Sequence, residues 1–153
     1  MKKLNCFSET HYIEEITGDG LIGFLYDDPV RPNIPLTVRI SNNKSAYVLF
    51  DYESSCVEAV VCVAFTDKVL TKELEVYEDC EDPSIAMFYT VWSYKPGAGR
   101  KIILAVRDMI IREKPEIQRF ITLSPQTEMA RKFHLRNGAI ELQMNEDTVN
   151  FEY

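Results

Sequence analysis

The stretch Tyr89-Thr-Val-Trp-Ser-Tyr-Lys-Pro-Gly-Ala-Gly-Arg-Lys-Ile102 carries the clearest chemistry in the sequence. An apolar run turns on Gly97-Ala-Gly99 and enters a segment with helical spacing. A helix start leaves backbone N–H groups without intrahelical partners, and such groups grip anions, phosphate above all. Lys95, Arg100 and Lys101 crowd the same turn with no acid between them, in a chain of net charge −7. An anionic cofactor is the most economical explanation; a plain strand-to-helix turn with solvated cations is the competing one. Neither formal phosphate-loop pattern is present. There is no Gly-x-x-x-x-Gly-Lys-Ser/Thr run, and the third glycine of a dinucleotide fingerprint would fall at Ile102.

Residues able to act on a bound group are fewer. His134 falls on a helix face. Its unperturbed pKa near about 6.5 suits either acid or base work, while a packing role is the plainer alternative. Tyr89, Ser93 and Tyr94 are polar groups near the end of the apolar run, with ordinary strand packing as the alternative, favoured for Tyr89. Glu73, Glu75, Glu78, Asp79, Glu81 and Asp82 cluster ahead of that run. Glu73 and Glu75 alternate with Leu74 and Val76 as on a half-buried strand. The cluster reads either as a solvated edge or as a wall that attracts a cationic amine and orders water for its proton. Asp27 and Asp28 carry the same two readings. Cys6, Cys56, Cys62 and Cys80 include no Cys-x-x-Cys pair and lie far in sequence from the two histidines, so no metal is expected.

The totals bound what these residues can belong to. A length of 153 residues fits one domain, 1–153, and 46% hydrophobic content supports a packed core. No apolar run approaches the roughly 20 residues of a membrane span. The lysines at the start are not followed by a long apolar core, so no secretory signal is expected. A cytoplasmic setting with reduced thiols follows as the expectation. A sequence pI of about 4.9 argues against sequence-independent nucleic-acid binding and leaves room for a cationic substrate.

The elements that must position the glycine turn can be read coarsely. A short helix is expected over 8–16, closed by Gly18-Asp-Gly20. Residues 21–26 are open between a helical turn and a strand. Three prolines make 27–35 a loop, with a strand after it at 36–40. A β-hairpin spans 45–52 and 56–65, its second arm apolar enough to be covered on both faces. Residues 66–82 form an irregular polar segment. A strand follows at 84–92, with Ile85, Met87, Tyr89 and Val91 on one side and Ala86, Phe88, Thr90 and Trp92 on the other. Ala98–Glu113 is an amphipathic helix closed by Pro115. Then come a strand at 117–123, a helix at 127–137 stopped by Asn137-Gly138, and a strand pair at 139–144 and 149–153. The strand–helix–strand unit should be parallel and right-handed. The fold class is α/β, a mixed and mostly antiparallel sheet with helices on both faces.

This order, together with three local matches, resembles the GNAT superfamily of N-acetyltransferases. Tyr94-Lys-Pro-Gly-Ala-Gly99 fits the spacing of the family's Gln/Arg-x-x-Gly-x-Gly/Ala turn. Phe88-Tyr-Thr-Val-Trp92 corresponds to the strand whose backbone binds the pantetheine arm. Ala130-Arg-Lys-Phe-His-Leu-Arg-Asn-Gly138 resembles the Ala-x-x-Phe-Tyr-x-x-x-Gly element before the last strands. The link from strand to first glycine is shorter than the family's usual form, and His134 stands where a tyrosine commonly protonates the leaving thiolate.

The resemblance implies acetyl-CoA as cofactor and direct transfer of its acetyl group to a primary amine of a small molecule or protein. It implies cofactor contacts from Val91, Trp92, Ser93, Lys95, Gly97, Ala98, Gly99, Arg100, Lys101 and Arg131, with Arg136 within reach of other phosphates. The catalytic candidates are His134, Tyr89 and Ser93. A monomer or homodimer without nucleic-acid or membrane partners is expected. The alternative is a GNAT-shaped acyl-CoA-binding or interaction protein without turnover.

Overall fold

The computed structural model describes residues 4–6, 10–18 and 20–153. Among the described residues nine strands join in one sheet: β1 (Leu4–Cys6), β2 (His11–Glu15), β3 (Lys44–Asp51), β4 (Cys56–Thr66), β5 (Ile85–Ser93), β6 (Arg119–Thr122), β7 (Ser124–Pro125), β8 (Ile140–Met144) and β9 (Thr148–Glu152). Their spatial order is β1-β2-β3-β4-β5-β6-β9-β7, with β8 added along β9. The β5–β6 pair is parallel, and the other pairings among the described residues are antiparallel. The helices are α1 (Leu36–Arg39), α2 (Ala98–Glu113) and α3 (Glu128–Arg136).

β4 is apolar from Ala59 to Phe65 because both of its faces are covered there. Ala59, Val61, Val63 and Phe65 pack under α2 against Ile102, Val106 and Ile110. Val60, Cys62 and Ala64 face the opposite layer, made by Leu25, Ile34, Leu70 and Val76 of the connecting segments. α2 crosses from β5 to β6 as expected of a parallel connection. It begins directly after Gly97, whose φ of +82° is a left-handed conformation that glycine adopts without the Cβ penalty.

Several local expectations give way to tertiary pairing. Residues 11–15 form strand β2 rather than part of a helix, because they pair with Tyr47–Asp51 along the open edge of β3; Ser8 and Glu9 lie outside the described residues. Residues 36–39 form a helical turn rather than a strand, which carries Arg39 inward. Ile22–Asp27 and Glu73–Tyr77 are 3-10 turns. In the second, only Val76 is buried, and Glu75 accepts the Thr71 and Lys72 backbone N–H groups at 2.8 and 3.1 Å.

The alternation in β5 breaks at a bulge. Val63 pairs with Phe88 and Cys62 with Thr90, so Tyr89 is an extra residue. Ile85, Met87 and Tyr89 share one layer and Ala86 and Phe88 the other, as the period of two requires. Beyond the bulge the sides exchange: Trp92 joins Tyr89's layer, Val91 joins Phe88's, and Thr90 donates to Asp28 Oδ1 at 3.0 Å on Tyr89's side.

The 27–39 segment is fastened to that side by a buried ion pair. Arg39 Nη1 meets Asp28 Oδ2 at 2.8 Å, Nε donates to Ile34 O at 3.0 Å, and Nη2 donates to Arg31 O at 2.7 Å. Arg39 is 1% exposed and Asp28 3%. Removing one member of such a pair leaves an uncompensated buried charge, so Arg39→Ala should cost about 3–5 kcal/mol of folding free energy by urea denaturation. The loss should be smaller when Asp28→Asn is present in the same chain.

Candidate functional site

β5 and β6 run together only briefly. They pair from Ile85↔Arg119 to Phe88↔Thr122, and Leu123 N–H donates to Phe88 O at 3.0 Å. Past that point the chain after β6 turns away to pair with β9, Ser124 opposite Val149 and Pro125 opposite Thr148. β5 continues to Ser93, bent by its bulge. The opening between them holds a cavity of about 290 Å³, walled by Phe88–Ser93 on one side and Leu123–Pro125 on the other. Gly99, Ile103, Phe133 and His134 close it on the α2 and α3 side, and Val30 reaches it from the opposite layer.

The wall on β5 has main-chain groups to offer. Tyr94 N–H donates to Glu58 O at 2.8 Å. Alternation along an antiparallel ladder then turns the Trp92 and Thr90 main-chain groups toward β4, and those of Val91 and Ser93 into the opening. The Val91 side chain is half-buried and Ser93 is exposed at the rim. Trp92 Nε1–H donates to Tyr94 Oη at 3.0 Å, which donates to Asp27 Oδ2 at 2.7 Å.

At the end of β5 the glycine turn opens α2. Ala98 N–H donates to Lys95 O at 3.2 Å and Lys101 N–H to Gly97 O at 3.4 Å. The expected cradle of amides from 97 to 101 is therefore narrower. Within the first turn of α2, Gly99 and Arg100 N–H have no intrahelical acceptor and no other backbone partner among the described residues. A Cβ on Gly99 would meet the Phe133 ring at 3.2 Å, so this glycine lets α2 lie close against α3. The basic island is also thinner than the sequence suggests. Lys95 Nζ pairs at 3.2 Å with Glu58, a carboxylate that also meets His11 Nε2 at 3.0 Å. Arg131 pairs at 3.2 Å with Glu141. Arg100 Nη1 donates to Arg136 O at 3.4 Å, and Lys101 is exposed.

His134 lines the cavity from α3 and is buried there rather than partly exposed. It is 4% exposed. Its Nε2 lies 3.0 Å from Ser124 Oγ and its Nδ1 2.7 Å from Tyr153 Oη. Burial pushes its pKa down to about 4, so the ring is neutral at neutral pH. Ser124 Oγ is in turn 2.7 Å from Thr122 Oγ1.

No protein-family model matches the sequence, and no curated protein sequence does. Solved structures do match. A malonyl-CoA decarboxylase from Cupriavidus metallidurans superposes with a TM-score of 0.70 at 16% identity, over 94% of this chain and 61% of the other. The chain thus spans about three fifths of that protein's length. The aminoglycoside acetyltransferase AAC(6')-Ib, solved with an aminoglycoside and acetyl-CoA, gives 0.67 at 12% identity over 94% and 93% of the two chains. The GNAT domain of S. lividans PAT gives 0.63 at 13% identity over 99% and 96%.

The chain has the GNAT fold. Within it, Gly97, Ala98, Gly99, Arg100 and Lys101 gather at the start of α2, with Val91, Trp92 and Ser93 along the adjoining wall of the cleft. Tyr89 contributes to the wall, yet its hydroxyl is buried and finds no hydrogen-bond partner among the described residues. The acidic residues after β4 are largely paired: Glu75 and Glu78 with Lys68 at 3.1 and 3.0 Å, and Asp79 with Lys44 at 3.7 Å. Glu73 pairs with Arg31 at 3.0 Å.

Arg31 was not singled out in the sequence. It bridges the opening from the far side, donating from Nε to Tyr89 O and from Nη2 to Leu123 O, each at 2.8 Å. Ser124, Thr122 and Tyr153 were missed too; Thr122-x-Ser124 on a strand ahead of the His134 helix was the available signal. His11, Asp51 and Glu58 present possible metal-ligand atoms within 4.8 Å of one another. The Asp51 and Glu58 oxygens are already engaged by Glu53 N, Ser54 Oγ, His11 and Lys95. No helix among the described residues is long and apolar enough to cross a membrane.

The His134 environment makes stability depend on pH. The unfolded ring titrates near 6.5 and the folded one at about 4. Between those values the unfolded chain binds the extra proton, so this contribution is complete above the window and is lost as pH falls through it. The loss should amount to about 3 kcal/mol. Urea unfolding at a series of pH values should show a steeper decline for the native chain than for His134→Gln.

Proposed function

We propose that the chain is an acyl-CoA-dependent N-acetyltransferase, moving the acetyl group of acetyl-CoA to a primary amine of a small molecule or protein. The observation that carries the reading is the parting of β5 from β6. It exposes the main-chain groups of Val91 and Ser93 to a cavity that ends where Gly99 and Arg100 N–H are unspent. A long anion with a diphosphate at its middle and an amide-bearing arm suits that sequence of donors.

Acetyl-CoA, when bound, supplies an activated thioester. Gly99 and Arg100 N–H would hold the diphosphate, with Arg100, Lys101 and Lys95 adding charge at the turn. Val91 and Ser93 would hydrogen-bond the arm, and Trp92 would pack the same wall. Val91 N–H would polarise the thioester carbonyl. Arg131 would assist with outer phosphates after release from Glu141. The layer around Val30 would border the acceptor. The alternative, acyl-CoA binding without turnover, draws support from one observation: the position expected to hold an acid is filled by a buried, neutral imidazole.

Calorimetry tests the cofactor first. Coenzyme A at 100 times its Kd should raise stability by about 2.7 kcal/mol. Gly99→Glu, which puts bulk on the Phe133 contact and negative charge beside the diphosphate, should weaken binding by more than about tenfold, or ~1.4 kcal/mol. Undiminished binding in that variant, in a chain with native circular dichroism, would sink the reading. Thiol release from acetyl-CoA on addition of cationic amines separates transfer from mere binding.

A further inference from the structure

Asp27 ends the Ile22–Asp27 turn beside the rim of the cleft, and its place there is fixed from two sides. Its neighbour Asp28 is buried, meets Arg39 at 2.8 Å and accepts the Thr90 hydroxyl of β5 at 3.0 Å. On the other side, Tyr94 Oη donates to Asp27 Oδ2 at 2.7 Å and accepts Trp92 Nε1–H at 3.0 Å. Trp92 lines the cavity, so a single tyrosine hydroxyl joins the Asp27 carboxylate to a residue of the cavity wall. Phe24 packs edge-on against the Tyr94 ring, with centroids 5.9 Å apart.

Neighbouring acids are already matched by cations. Asp28 has Arg39, and Glu73 has Arg31 at 3.0 Å. Lys95, next in sequence to Tyr94, is held by Glu58 at 3.2 Å. No Lys, Arg or His among the described residues pairs with Asp27, and the Tyr94 hydroxyl brings a hydrogen bond without a compensating charge. Aromatic surface lies open beside it: Tyr26 is 75% exposed and Tyr94 46%. An unmatched carboxylate next to exposed aromatic rings is the combination that holds an organic cation.

Position decides what kind of cation fits. The thioester carbonyl is assigned to Val91 N–H, and Tyr94 follows Val91 by three residues. At about 3.3 Å per residue, the two places are roughly 10 Å apart along the strand. Asp27 is therefore too remote to take a proton from the attacking nitrogen, which requires an approach of about 2.6–3.2 Å. Trp92 lies between the two places and packs in the layer of Leu25 and Ile34, giving that stretch an apolar surface. We infer that Asp27 is a specificity-determining residue and that the acceptor is an amine bearing a second positive charge, an elongated diamine or polyamine. One nitrogen, neutral, reaches the thioester. The other, as an ammonium, rests on the Asp27 carboxylate beside the Tyr94 and Tyr26 rings, and the methylene chain between them runs over Trp92. The inference rests on the reading that an acyl thioester occupies this cleft, and it names the acceptor class that this reading leaves open.

Calorimetry on the coenzyme A complex tests the second place without turnover. The probes are the terminal diamine of octane, long enough to reach both places, and octylamine, its equal in carbons with one charge. The diamine should bind about fivefold more tightly, the upper range for an exposed ion pair, and added salt should narrow the difference. Asp27→Asn keeps an oxygen for the Tyr94 hydroxyl and removes only the charge. It should erase both the preference and its salt dependence while retaining the rise in melting temperature with coenzyme A. With acetyl-CoA, the diamine should release thiol faster than octylamine from the native chain and lose that advantage in Asp27→Asn. Equal binding of the two amines, or a preference untouched by Asp27→Asn, overturns the inference and leaves the cofactor reading standing. Acetyl transfer to a peptide N-terminus with none to the diamine does the same. Absence of protection by coenzyme A in the native chain defeats both.

Discussion

The separation of two neighbouring strands in mid-sheet is the constraint on which the rest of this structure depends. Backbone N–H and C=O groups inside a sheet are obliged to find partners, and pulling β6 away from β5 orphans those past Phe88 and Thr122. The fold answers in three ways. β9 takes up the chain that β6 abandons. Arg31 supplies two N–H donors to the carbonyls of Tyr89 and Leu123 at the root of the gap. The bulge at Tyr89 bends β5 and turns Val91 toward the α2 layer. What remains unpartnered on β5 faces a cavity.

Charge is used sparingly around this gap. Lys95 is held by Glu58 and Arg131 by Glu141, so most of the basic turn is already matched. Glu58 is itself a bulge residue, the extra one between Val57 and Ala59 opposite Phe50 and Leu49, and the bulge aims its carboxylate at the turn. The turn therefore offers directed N–H groups more than a net positive field, in a chain that is acidic overall.

How much of this was legible in the sequence depends on whether local pattern and tertiary partner agree. β4, α2 and α3 were legible because a nearly unbroken apolar run and two amphipathic periods each match their final surroundings. The glycine turn was legible through its position between strand and helix. β2 was not, since its identity comes from the free edge of β3, which overrides the weak helix signals around it. α1 was misread as a strand because what decides it is Arg39 reaching Asp28. A bulge is invisible to an alternation argument, so the sides of Thr90, Val91 and Trp92 came out exchanged. Ser124 was overlooked because a lone serine before a helix looks like turn chemistry until a histidine on that helix is seen to fold back onto it.

Arg31 joins the two sides of the molecule energetically. Its guanidinium touches both strands of the gap and Glu73, while its own backbone accepts Arg39 and so anchors the 27–39 segment. A guest that widens the gap must loosen these contacts, and a guest that settles on the 27–39 segment must tighten or loosen the gap in return. Thermodynamic reciprocity makes the two influences equal in size. Occupants of the two places would thus sense each other through one side chain.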